Sequence, residues 1–156
     1  MAELKARLRT DLTTAMKARN PLVVSTLRMT LAAVRTAEVA GSSARELPDD
    51  EVLKVIGKEA KKRAESAEAF DAAGRGELAT KERAEADVLA AYLPTQLTDD
   101  EVTELAARAV SRVAAESGAA PGMRQMGQVM ALATGFAAGR ADGARVSSAV
   151  RAQLQN

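Results

Sequence analysis

The segment Gly139-Arg140-Ala141-Asp142-Gly143-Ala144-Arg145-Val146 carries residue types that can hold a phosphate. Its glycines let the backbone approach an anion, and its two guanidiniums are charged donors. A helix starting there would add unpaired N–H groups. Residues 118–156 contain four arginines and one aspartate, so the stretch is locally basic. The same glycines suit a plain chain reversal with Asp142 as a helix cap, and both readings stand. A second basic run, Lys54, Lys58, Lys61, Lys62 and Arg63, could contact phosphates along one side of a helix. Its plainer reading is a solvated face neutralised by Glu59 and Glu65. Met123, Met126 and Met130 stand at helical spacing, which fits a core stripe or an adaptable partner groove.

Other chemistry is narrowed by what is missing. The chain has no Cys and no His. Disulfides, cysteine nucleophiles, Ser-His triads and ordinary zinc sites are excluded. The acid pairs Asp49/Asp50 and Asp99/Asp100 stand where helices begin, and capping explains them. No set of residues combines a nucleophile, a base and an oxyanion hole, so no catalytic residue is assigned. Neither a cofactor nor a metal is expected.

The elements that position these residues follow from composition and periodicity. Of 156 residues, 47% are apolar but only 2% aromatic, so the core must be Ala, Leu, Val and Met. Small apolar residues let helices approach closely and suit a sheet badly, which predicts an all-α fold. Charge is balanced, 22 basic against 21 acidic, so any polyanion contact must come from a local patch. Residues 1–20 alternate charged and apolar side chains, unlike a signal peptide or a membrane span, and the protein reads as cytoplasmic.

Amphipathic spacing predicts helices over 3–19 and from Pro21 to about Ala40, the second with Asn20 as cap. A third opens at Pro48-Asp49-Asp50-Glu51, and a fourth runs from about Glu77 to Tyr92. These last two should form a long hairpin, partly standing away from the core. Pro94 and the capping box Thr98/Glu101 then end one helix and start another, which predicts a boundary between domains 1–93 and 94–156. Residues 99–117, a short helix with the Met stripe, and a last helix with Val146, Val150 and Leu154 make a small three-helix domain. Gly135, Gly139 and Gly143 are expected to punctuate the turn before the last helix.

Five blocks in order resemble the GatB/YqeY family. They are Ser25-Thr26-Leu27-Arg28-Met29, Glu65-Ser66-Ala67-Glu68-Ala69-Phe70 with Ala73-Gly74-Arg75, Tyr92-Leu93-Pro94-Thr95-Gln96-Leu97, Met126-Gly127-Gln128-Val129-Met130, and Gly139-Arg140-Ala141-Asp142-Gly143. Together they look like a stand-alone YqeY-like protein over essentially the whole chain. The resemblance implies an N-terminal helical domain followed by a domain like the tail of GatB, a subunit of tRNA-dependent amidotransferases. In those enzymes the tail is associated with gripping tRNA. By position, the implied RNA-facing residues are Arg124, Gln125, Gly127, Arg140, Gly143 and Arg145, with Lys54, Lys58, Lys61 and Lys62 as a secondary basic face. The catalytic cradle of GatB has no counterpart here. A label of carbon–nitrogen ligase with glutamine as amido donor would therefore be inherited by name only. The expectation is a non-catalytic accessory module that binds tRNA or another structured RNA. The alternative is a protein-interaction module docking on an amidotransferase or another enzyme through the hairpin or the Met stripe. With one Tyr and two Phe, RNA would be read through shape and phosphates rather than by stacking.

Overall fold

The computed structural model describes residues 2–156 and is all-α, with no strand among them. The chain forms two compact units, Met1–Leu93 and Pro94–Asn156. The first holds α1 (Glu3–Lys17), α2 (Pro21–Glu38), α3 (Asp49–Ala72) and α4 (Gly76–Ala90). The second holds α5 (Asp99–Ser117), a single 3₁₀ turn (Met123–Gln125), α6 (Met126–Ala137) and α7 (Gly143–Leu154). None of these helices is long and apolar enough to cross a membrane.

The first unit is held by a layer of large aliphatic side chains. Leu8, Leu27, Val34, Val52, Ile56 and Leu89 are fully buried and meet in one cluster, closed by Leu47. Each such side chain contributes about 1.5–3 kcal/mol relative to leaving it in water. Asn20 caps α2 by accepting from the Val23 N–H, with Pro21 in the first turn, as the sequence predicts. Thr26 and Thr30 are also fully buried. Burial is tolerated because each hydroxyl donates to the carbonyl four residues back, at 2.8 Å. Lys5 and Glu38 form an ion pair of 2.6 Å near the end of α2, and Glu38 also accepts from the Leu47 N–H. The hydrogen bond from Lys5 is the main reason the Glu38 carboxyl sits below its ordinary range. Tyr92, the only tyrosine, packs against this core, donates its hydroxyl to Asp11 and lies under the Arg7 guanidinium. Burial first, and then Asp11, push its phenol well above the usual range.

The hairpin of α3 and α4 is only partly free of the rest. α2 packs against both of its helices, while every residue from 71 to 77 is exposed. Between these regions lies a buried charged cluster. Arg63 is 3% exposed, against the expectation that it shares the basic face of the lysines. Its register explains this. At about 100° per residue, Arg63 points the same way as Val52, Ile56 and Ala67 and lies half a turn away from Lys54. Its Nη1 donates to the Glu59 carboxylate and carbonyl, at 2.8 and 3.1 Å, and its Nη2 to the Met29 sulfur. Its Nε lies 3.2 Å from the Glu85 carboxylate but is not aimed at it and makes no hydrogen bond.

The second unit packs on smaller side chains. Ala106, Ala109, Ala133 and Ala137 share its core with Leu105, Val113, Val129, Val146, Val150 and Leu154. Thr98 and Glu101 form the predicted reciprocal capping box at the start of α5. Met126 and Met130 pack against the core, whereas Met123 is left 44% exposed. Gly135 is not in the turn, because α6 continues through it to Ala137. A helix-interior glycine costs about 1 kcal/mol relative to alanine, and the core packing of Ala133, Phe136 and Ala137 on either side of it in sequence offsets that cost. The reversal instead uses Ala138 (φ 49°) and Gly139 (φ 77°), both left-handed. The left-handed conformation is unfavourable for alanine. Ala138→Gly should therefore raise the stability of this unit by about 0.5–1 kcal/mol in urea denaturation.

Candidate functional site

The six residues expected to face RNA all lie in the second unit, but in two groups. Arg124 and Gln125 lie in the 3₁₀ turn and Gly127 is the second residue of α6. Arg140 follows the other end of α6, Gly143 is the first residue of α7, and Arg145 lies in its first turn. A twelve-residue helix is about 18 Å long, so the two groups do not make one constellation.

At the first end, Arg124 is exposed and its side chain has no hydrogen bond or ion pair among the described residues. Gln125 has a local role, its Oε1 accepting from the Gly122 N–H at 2.8 Å. Gly127 and Gly143 are exposed, and a side chain added at either would meet nothing within 4 Å. Neither glycine is required by packing within the fold.

At the second end the two arginines are engaged with the segment that begins the unit. The Arg140 carbonyl accepts from the Leu97 N–H at 2.7 Å, and the Arg140 Nε donates to the Thr95 carbonyl at 2.8 Å. Arg145 Nη2 donates to both the Leu97 carbonyl and the Asp99 carboxylate, each at 2.8 Å. The Arg145 N–H also bonds Asp142, which caps α7 as the chain-reversal reading predicts. Arg140 and Arg145 thus strap residues 95–99 onto α5, α6 and α7, and Leu97 packs against their core. The Glu101 carboxyl beside them sits below its ordinary range, chiefly because it accepts from the Thr98 backbone, with the Arg140 charge adding to this. Thr95, Leu97 and Asp99 were not expected at this site. They lie 45 to 48 residues from their arginine partners, and no local spacing marks such pairs. The donors left to the site, the terminal nitrogens of Arg140 and Nε and Nη1 of Arg145, are suited to holding an anion.

The secondary basic face belongs to the first unit, where Lys54, Lys58, Lys61 and Lys62 are all exposed on α3. Glu59, expected to neutralise it, turns instead to Arg63. A shallow open groove of about 370 Å³ in the same unit is lined by Glu3, Leu4, Arg7, Asp49, Asp50 and Leu53. Three carboxylates against one guanidinium give it the wrong sign for phosphate.

Residues 5–154 match the family described as Yqey-like protein. The chain belongs to the Yqey-like family. Among its relatives is the altered inheritance of mitochondria protein 41, mitochondrial, of Clavispora lusitaniae. It is 32% identical over 65% of this chain and 59% of that protein. The protein of the same name from Meyerozyma guilliermondii is 29% identical over 78% of this chain and 64% of that one. An uncharacterized protein of Schizosaccharomyces pombe is 37% identical over 58% of this chain and 72% of its own length. The Yqey-like chain thus spans about three fifths of the length of the first two relatives.

Proposed function

We propose that this Yqey-like protein is a non-catalytic accessory module that binds tRNA or another structured RNA through its second unit. The observation that carries the reading is the pair of arginine-bearing ends of α6, Arg124 at one and Arg140 with Arg145 at the other. Contacts about 18 Å apart fit a phosphate backbone followed over several nucleotides better than one small anion. The resemblance to the GatB tail points the same way. Reading would be by shape and charge, because Phe136, the one aromatic residue after Leu93, is part-buried and already lies under Arg108.

Gel-shift titration against bulk tRNA at low and moderate salt tests the proposal, and no complex at micromolar protein in low salt would sink it. Arg124 is the clean probe, since it supports nothing in the fold. Arg124→Ala should weaken binding and lower the salt slope by roughly one, with an unchanged melting curve.

A second reading, docking on an amidotransferase or another enzyme, is favoured by the outer face of α6. Gly127, Gln128, Ala131, Thr134 and Gly135 are exposed there, and the helix carries no charge. A smooth, uncharged face of this kind suits close approach by a partner helix. Partners that co-purify with the protein and survive nuclease treatment would favour this reading over RNA.

A further inference from the structure

We infer that Asp99 is an internal competitor for the anion that Arg145 would take, so that ligand binding loosens the segment 95–98. The inference rests on the RNA reading above. Asp99 is the first residue of α5, and its side chain is 97% exposed apart from one engagement, the 2.8 Å pair with Arg145 Nη2. Its neighbour Asp100 carries the same charge in the same helical turn, and its side chain has no hydrogen bond or ion pair among the described residues. The same Nη2 also holds the Leu97 carbonyl. An incoming phosphate that draws the Arg145 guanidinium outward therefore removes both acceptors together.

Release does not stop at Arg145. Leu97 is fixed on its other side by its N–H to the Arg140 carbonyl, and Thr95 by the Arg140 Nε. Arg140 sits directly after the left-handed pair Ala138–Gly139, a backbone held in an unfavourable state at Ala138. A second phosphate contact at Arg140 would draw its Nε from Thr95 and leave Leu97 on one backbone hydrogen bond. The strap is thus an autoinhibitory contact built from backbone carbonyls and one carboxylate, and polyanion replaces both.

The experiment compares Asp99→Ala with Asp100→Ala in the full chain. Each removes one acidic charge from the first turn of α5, and only the first frees Arg145. Bulk tRNA should bind Asp99→Ala about two- to fivefold more tightly than Asp100→Ala, the range expected for loss of one exposed ion pair. In the wild-type protein, saturating tRNA should speed amide exchange at Leu97 by about fivefold or more, because opening its N–H bond to the Arg140 carbonyl then requires breaking one hydrogen bond fewer. Equal affinities in the two variants, or unchanged Leu97 exchange in the complex, would overturn the inference and leave the RNA reading standing. No complex with either variant at micromolar protein would overturn both.

Discussion

Arg63→Ala should destabilise the first unit by about 3–5 kcal/mol in urea denaturation, the usual cost of removing one partner from a buried ion pair. The substitution strands two carboxylates. The Glu85 side chain is 8% exposed and that of Glu59 is 16% exposed, and Arg63 is the cation facing both. It also empties the space between α3 and the Met29 sulfur. The companion variant Arg63→Met with Glu85→Leu and Glu59→Gln removes all three charges of the cluster and keeps most of the volume. It should regain most of the loss, because a buried ion pair is often no more stabilising than well-packed hydrophobes. If Arg63→Ala shifts stability by less than about 1 kcal/mol, the cluster is hydrated and the burial argument fails.

Leu89→Ala should cost about 2–5 kcal/mol. Leu89 reaches from α4 into the cluster of Leu8, Leu27, Val34, Val52 and Ile56, all fully buried. Truncation loses the transfer energy of the removed methyl groups and leaves a cavity that the three helices packed around it cannot easily close. Met16→Ala is the matching control, since Met16 is 50% exposed. It should change stability by no more than about 0.5 kcal/mol. Equal effects of the two substitutions would mean that the first unit has no specifically packed core.

How much of this was legible in the sequence depends on the range of each interaction. Asn20 with Pro21, the Thr98/Glu101 box and Asp142 before Arg145 are caps reaching three residues, and the structure shows each of them. The core faces of the helices were legible for the same reason, as apolar residues recur at the helical period. Arg63 was also readable, because its register places it among Val52, Ile56 and Ala67. Grouping it with the neighbouring lysines by charge hid that. Gly135 was misplaced because glycine signals a turn locally, while the helix through it is held by core contacts made elsewhere. The strap had no local signature at all. Arg140 and Arg145 looked like free phosphate ligands because Thr95, Leu97 and Asp99 meet them only after α5 and α6 have folded back.

Tyr92, fixed between Asp11 and Arg7, has a practical consequence for denaturation of this chain. The chain has one tyrosine and no tryptophan, and that tyrosine belongs to the first unit. Tyrosine absorbance and tyrosine fluorescence therefore follow the first unit alone. The second unit shows itself in far-ultraviolet circular dichroism, which sums the helices of both. Overlaying the two signals along one denaturation curve separates the units without a label. A tyrosine trace that stays flat while ellipticity falls marks the unit carrying Arg124, Arg140 and Arg145 as the first to melt.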